Sequence, residues 1–221
     1  MIDMAAVEIK NLSISYDKRV IVRDFSLIVE PGEAVLIRGP SGCGKSTLLN
    51  AVCGLIPGSI PAEISGEVLL SGKNVRELTV AERAKEIGIV FQNPETQLFC
   101  DTVEDEIAFG LENLCLPENI IGNRIDEMLA LTRMEKYRLA SPKELSGGQK
   151  QLVVLAAVLA LNPKVLLLDE ALSQLDVSGK QALAERLLML RKEGHTLLMV
   201  DHDDDLRHVA GRILNWEEEQ A

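Results

Sequence analysis

No stretch of this sequence is long and apolar enough to cross a bilayer. A spanning helix needs roughly 20 apolar residues, and the longest uncharged apolar run, Leu152 to Leu161, is half that. The opening MIDMAAVEIK lacks the basic start and apolar segment of a signal peptide. Cysteine is scarce. Cys43, Cys53, Cys100 and Cys115 show neither CxxC spacing nor the density of a disulfide scaffold, which predicts free thiols in a reducing compartment. Basic residues are outnumbered, 23 Lys and Arg against 34 Asp and Glu, for a net charge of −11. An acidic surface repels phosphate backbones and anionic lipid, so nucleic acid is not expected as a direct partner. Repeats and low-complexity tracts are also lacking. What remains is a soluble, cytosolic chain that can act at a membrane only through a partner.

What is present is globular. Hydrophobic residues make up 47% of the 221 and charged residues 26%, enough for one ordinary domain or somewhat more. VEIKNLSISY and VIVRDFSLIVE alternate apolar and polar residues around a turn-like DKR, predicting an antiparallel pair. EAVLIRG is a short buried strand running into a glycine-rich loop, and a helix over KSTLLNAVCGL follows, stopped by Pro57-Gly58. Further strands are expected at GEVLLSG and IGIVFQ, with helix-capable sequence at Thr79–Lys85 between them. Pro94 to about Glu144 is helical and charge-rich, and Glu104, Asp105 and Glu106 suit a helix N-terminus. Then come helix Gln149–Leu161, strand KVLLLDE, a helix from about Ser178 to Glu193, strand HTLLMVDH, a short helix and strand RILNW. That alternation implies a parallel sheet with helical crossovers.

Three motifs carry chemistry. GPSGCGKST (Gly39, Pro40, Ser41, Gly42, Cys43, Gly44, Lys45, Ser46, Thr47) matches G-x-x-x-x-G-K-[ST] between a strand and a helix, the context a phosphate loop requires. Its glycines let main-chain amides wrap phosphate, and the helix N-terminus adds positive potential. Lys45 is placed for the β- and γ-phosphates of ATP and the Ser46 hydroxyl for Mg²⁺. KVLLLDE delivers Asp169 and Glu170 at a strand tip, where α/β sheets bind ligands. Asp169 suits Mg²⁺ through water, and Glu170 is the candidate general base. The third motif, LSGGQ, places Ser146, Gly147, Gly148 and Gln149 ahead of an apolar helix, a second anion cradle.

Two phosphate-binding loops in one chain resemble the nucleotide-binding domain of ABC ATPases, and the resemblance runs end to end. It implies an α/β fold: a P-loop NTPase core with a mostly parallel sheet, an N-terminal antiparallel β-subdomain and a helical insertion subdomain. The whole of 1–221 would be one domain, with about 1–92 and 150–221 as core and about 93–149 as helical part. It implies an ATPase in which LSGGQ of one subunit covers the γ-phosphate held by the other, in a head-to-tail homo- or heterodimer. Ser146 and Gly148 would act in trans. Gln92 matches the glutamine that contacts Mg²⁺ and senses the membrane partner, Asp176 of SQLD the loop that crosses the dimer, and His202 the switch histidine on the γ-phosphate. Tyr16 either stacks on adenine or is an ordinary strand-surface tyrosine. His195 and His208 are expected to be surface residues without a role.

FQNPETQLF followed by TVEDEIAFGLEN is similar to the ATPases of energy-coupling-factor transporters, importers of vitamins and of cobalt or nickel ions. That resemblance implies transmembrane transporter subunits as partners and a position on the cytoplasmic face of the membrane. Gln97 within it either contributes to the site or lies on the surface. The sequence departs from the family at Leu152, where arginine is usual and an ion pair would be lost, and at Gln174, where glycine is usual. Ending at Ala221, the chain is expected to be a minimal motor. Two other readings stay open: a soluble ABC-type ATPase acting on DNA or ribosomes, which the single cassette and short interval between Gln92 and Ser146 disfavour, and a non-hydrolysing scaffold, which retention of Gln92, Glu170 and His202 disfavours.

Overall fold

The N-terminal alternation becomes a hairpin. In the computed structural model, which describes residues 4–173 and 175–220, β1 (Val7–Tyr16) pairs antiparallel with β2 (Arg19–Val29). Asp17 and Lys18 at the turn have φ of 46° and 69°, the left-handed pair whose twist matches flanking strands. The buried β3 (Ala34–Arg38) leads to α1 (Lys45–Val52). This helix stops three residues short of the expected Leu55, because Gly54 turns left-handed at φ 75°. β4 (Glu63–Leu70) and the two-residue β5 (Lys73–Asn74) join the hairpin in a sheet of order β2-β1-β4-β5. GEVLLSG therefore extends the antiparallel sheet.

Helix α2 (Val80–Glu86) starts with a capping box: Thr79 Oγ1 accepts the Glu82 N–H and the Glu82 carboxylate accepts the Thr79 N–H. After β6 (Ile87–Val90) and a 3₁₀ turn at Pro94–Thr96 come α3 (Val103–Asn113) and α4 (Glu118–Thr132). Arg138 joins these two helices, reaching Glu104 at 2.6 Å and Asp126 at 2.5 Å. Two more 3₁₀ turns, Glu135–Tyr137 and Pro142–Glu144, precede α5 (Gly147–Ala160). β7 (Val165–Asp169), α6 (Val177–Lys192), β8 (Thr196–Asp201), β9 (Arg212–Asn215) and α7 (Trp216–Glu219) complete the chain.

The short helix expected between β8 and β9 is not formed. Residues 202–209 are bends and turns, with i→i+3 bonds from Arg207 N–H to Asp204 and from Val209 N–H to Leu206. The Asp201 carboxylate takes the N–H groups of His202 and Asp203, and side chains that bond nearby backbone compete with helix.

The second sheet has the order β6-β7-β8-β3-β9, and every neighbouring pair is parallel. Its side chains alternate between two cores. Leu36, Leu166, Leu168 and Met199 pack with the α3–α6 layer, whereas Val35, Ile37, Leu167 and Val200 pack with α1 and the antiparallel sheet. Leu152, where an arginine is usual, is half-buried against the first core. Gln174 lies outside the described residues. Among the described residues no helix is long and apolar enough to cross a membrane.

Candidate functional site

The C-terminal ends of β3, β7 and β8 bring together side chains far apart in sequence. From the loop after β3, buried Lys45 donates its ammonium to the carbonyls of Gly39 (2.8 Å) and Pro40 (2.9 Å). Gly44, just before α1, has φ 112°, and a Cβ there would lie 2.9 Å from Ile21. A Cβ on Gly39 would lie 2.8 Å from the Trp216 Cβ. Only glycine fits at either place. Ser41 and Gly42 are exposed and Thr47 is half-buried.

β7 ends with Asp169, whose Oδ1 accepts the Ser46 hydroxyl at 2.8 Å. The next residue, Glu170, is buried and left-handed at φ 46°, with its N–H on the Val200 carbonyl. A non-glycine residue in that region is uncommon, and such positions concentrate at functional sites. The carboxylate of Glu170 is the meeting point. Its Oε1 is 3.7 Å from Lys45 Nζ, and its Oε2 accepts Gln92 Nε2–H at 2.9 Å and lies 3.3 Å from His202 Nδ1. Gln92 is exposed and sits two residues beyond the end of β6. Ser46 and Asp169, in contact at 2.8 Å, are hard oxygen donors, and the Gln92 amide reaches the neighbouring Glu170; such donors suit Mg²⁺.

Burial pushes the Asp169 carboxyl above the usual carboxylate range; its bond from Ser46 lowers it, the Glu170 charge raises it further and Lys45 lowers it. A carboxyl raised on folding favours the fold below its unfolded-state value, and that advantage is lost as pH rises through the folded-state value. In its ionised form the buried carboxylate is therefore a burden. Asp169→Asn, which can still accept from Ser46, is expected to raise the melting temperature of the magnesium-free protein by roughly 2–4 °C. A lowered melting temperature would show that the charge is a net stabiliser.

The signature segment lies in the helical layer. Ser146 caps α5: its hydroxyl accepts the Gln149 N–H at 3.3 Å, and Gln149 Oε1 accepts the Ser146 N–H at 2.9 Å. Gln149 also donates to the Tyr137 hydroxyl at 2.7 Å. Ser146 is exposed, and Gly147 and Gly148 are half-buried. Asp176 caps α6, accepting the Gly179 N–H at 2.7 Å, and is exposed. Tyr16 is half-buried at the hairpin end against the α1-side core. Gln97 neither joins the cluster around Glu170 nor faces freely outward. It accepts the Phe91 N–H and donates to the Ile89 carbonyl, splinting the segment before Gln92. His208 is exposed, in a turn rather than on a helix, and His195 is half-buried before β8.

Several participants carry no local sequence signal. The indole N–H of Trp216 donates to the Cys43 carbonyl at 2.8 Å, and its ring stacks obliquely on Phe25. It braces the phosphate loop from the first residue of α7, 173 residues further along the chain, a relation visible only in three dimensions. Trp216→Phe, which loses that bond, is expected to lower the melting temperature by roughly 2–10 °C and to weaken nucleotide binding in a fluorescent-nucleotide titration. Unchanged affinity would remove the brace. Gln151 of α5, fully buried, donates to the Phe91 carbonyl at 3.1 Å. Glu106, expected at a helix N-terminus, is buried and accepts the N–H groups of Phe99 and Cys100.

A phosphate loop, a strand-tip acid pair, and a serine-capped, glycine-rich helix start on one α/β sheet define a P-loop nucleotide-binding protein of the ABC ATPase type. The chain belongs to the ABC transporter family, whose family model matches residues 22–173. A Pyrococcus abyssi protein named as an ABC transporter ATP-binding protein is 44% identical over 216 residues, which are 96% of this chain and 77% of that one. The energy-coupling factor transporter ATP-binding protein EcfA1 of Leuconostoc mesenteroides is 38% identical over 95% of this chain and 76% of its own. Other relatives are longer: the chain spans 34% and 37% of two similarly named Methanosarcina mazei proteins. Among solved structures, CbiO1 from Clostridium perfringens, part of the ABC transporter complex CbiONQ, superposes with a TM-score of 0.84 at 31% identity, covering 96% of this chain and 84% of that one. A dimeric ATP-binding cassette in a post-hydrolysis state, bound to ADP and Pi, matches with a TM-score of 0.84 at 28% identity, covering 95% and 93%.

Proposed function

We propose that this chain is the ATP-hydrolysing subunit of an ABC importer of the energy-coupling-factor type, moving a vitamin or a metal ion, and that it works as a head-to-tail dimer. The observation that carries the reading is the convergence of Lys45, Gln92 and His202 on the single carboxylate of Glu170. ATP would lie along the loop from Gly39 to Thr47, its γ-phosphate against Lys45, with Tyr16 at the adenine. Ser46, Gln92 and Asp169 would hold Mg²⁺, which would supply charge neutralisation on the phosphates. Glu170 would orient a water and take its proton, and His202 would face the γ-phosphate. Ser146, Gly147, Gly148 and Gln149 would close the site from the second subunit, with Asp176 at the junction.

The relatives EcfA1 and CbiO1 support the importer assignment. So does an apolar surface beside the segment after Gln92. Phe99 and Phe109 are exposed and meet edge to face at 4.7 Å, flanking a groove with Leu98, Gly110 and Val154. A helix of a transmembrane subunit would seat there, placing the chain on the cytoplasmic side of its membrane.

Mixing two inactive variants tests the dimer. Lys45→Met spoils the phosphate loop and Ser146→Arg the covering turn, so each alone is expected to release no phosphate. A mixed dimer rebuilds one whole site, and the mixture is expected to recover a fraction of wild-type turnover in a phosphate-release assay. An inert mixture would sink the trans arrangement, and an inert wild-type chain with MgATP would sink the ATPase.

A further inference from the structure

The run Asp201-His202-Asp203-Asp204-Asp205 carries four carboxylates, and the proposed cycle uses only its histidine. Each acid has a partner. Asp201 Oδ1 accepts the N–H groups of His202 at 2.7 Å and Asp203 at 3.1 Å. Asp203 lies 3.4 Å from His202 Nε2, Asp204 meets Arg38 at 3.0 Å, and Asp205 meets Lys180 at 2.6 Å. The turn is thus tied to the stem of the phosphate loop and to α6.

These ties are unequal. Asp204 is 58% exposed in its ion pair, and pairs of that kind contribute about 0–1 kcal/mol. Asp201 is 3% exposed at the end of β8, whose residues are all buried. A buried carboxylate is expensive unless its acceptor positions are used. Here one oxygen holds two consecutive amides, which folds the chain back immediately after the strand and fixes where the His202 side chain departs. The same oxygen is 3.6 Å from His202 Nδ1, too far for a hydrogen bond, so the hold runs through the backbone.

Resting on the ATPase reading above, we infer that Asp201 is a positioning residue for His202: its buried carboxylate caps the turn after β8 and so aims the imidazole at the Glu170 end of the site. The role needs one oxygen that accepts from two amide N–H groups, and no charge. Asparagine can fill it; alanine cannot.

The test is a mutant cycle read by steady-state phosphate release from the full chain with MgATP. Asp201→Ala is expected to lower kcat about tenfold with little change in KM, since a small misplacement of a reacting group is costly. Asp201→Asn is expected to stay within about twofold of wild type, because its amide oxygen takes both N–H groups. In a His202→Ala background, Asp201→Ala is expected to cost less than about twofold, as coupled residues are non-additive. Asp204→Ala, which breaks the pairs of an exposed carboxylate with Arg38 and Arg207, is expected to leave turnover unchanged within about twofold.

A tenfold loss from Asp201→Ala that persists without His202 would make Asp201 a structural residue and overturn the inference. A loss in Asp201→Asn as deep as in Asp201→Ala would also overturn it, by assigning the effect to charge. If Asp201→Ala does not fold, His202→Ala is compared in wild-type and Asp201→Asn chains. Equal costs support the backbone cap, and a cost erased by asparagine refutes it. A wild-type chain that releases no phosphate would instead remove the ATPase reading itself.

Discussion

Replacing Glu170 by glutamine is expected to lower kcat for ATP hydrolysis by about 10²–10⁴-fold, the usual contribution of a general base, while ATP binding is retained. The substitution is nearly isosteric, so its effect can be read chemically. The Glu170 Oε2 that accepts Gln92 Nε2–H at 2.9 Å becomes an amide oxygen that accepts equally well. Backbone placement is also kept, because the left-handed residue is held by its N–H on the Val200 carbonyl. What is lost is the carboxylate charge that faces Lys45 at 3.7 Å and, with it, the ability to take a proton from water. A phosphate-release assay beside a nucleotide titration separates the two functions. Turnover within tenfold of wild type would show that another group receives the proton.

Lys45→Met is expected to weaken ATP binding by about 10–150-fold, the worth of 1.5–3 kcal/mol for hydrogen bonds to a charged group, and to leave no measurable turnover. The ammonium is buried and already fixed by the carbonyls of Gly39 and Pro40. Little rotamer freedom remains to be lost when phosphate arrives, so its contribution to binding is undiluted by ordering. Methionine keeps most of the stem volume and limits cavity formation. A thermal melt run with the fluorescent-nucleotide titration distinguishes loss of grip from loss of fold. Affinity within twofold of wild type would detach Lys45 from the triphosphate.

The parts of this molecule most legible in its sequence are those whose meaning is local. GPSGCGKST needs only a strand before it and a helix after it, and KVLLLDE exposes both its burial and its terminal acids. The alternation of the first thirty residues sufficed for the hairpin, because period-2 burial is a property of the strand itself. Other features depend on partners that no local pattern names. Trp216 looks like the end of a strand until its indole meets Cys43, and Gln151 like an ordinary helix residue until it reaches Phe91. Glu106 suits a helix dipole by position, but its carboxylate is occupied by the amides of Phe99 and Cys100. The missing helix after β8 is a competition that composition hides: aspartates tolerate a helix on paper, but here one of them takes the amides that would begin it. Gln97 was ambiguous for a similar reason, since a glutamine that splints backbone has the same sequence as one that faces solvent.

Among the described residues the parallel sheet separates two oily layers that share no side chain: α1 and the antiparallel strands lie behind one face, α3 to α6 behind the other. Repacking among the helices therefore need not disturb the wall against which the phosphate loop rests. The helical layer meets the segment around Gln92 along the rim, where Gln151 donates to the Phe91 carbonyl and Lys150 pairs with Glu95 at 2.6 Å. Two compartments that meet at an edge make that rim the junction between the helices and the segment that carries Gln92.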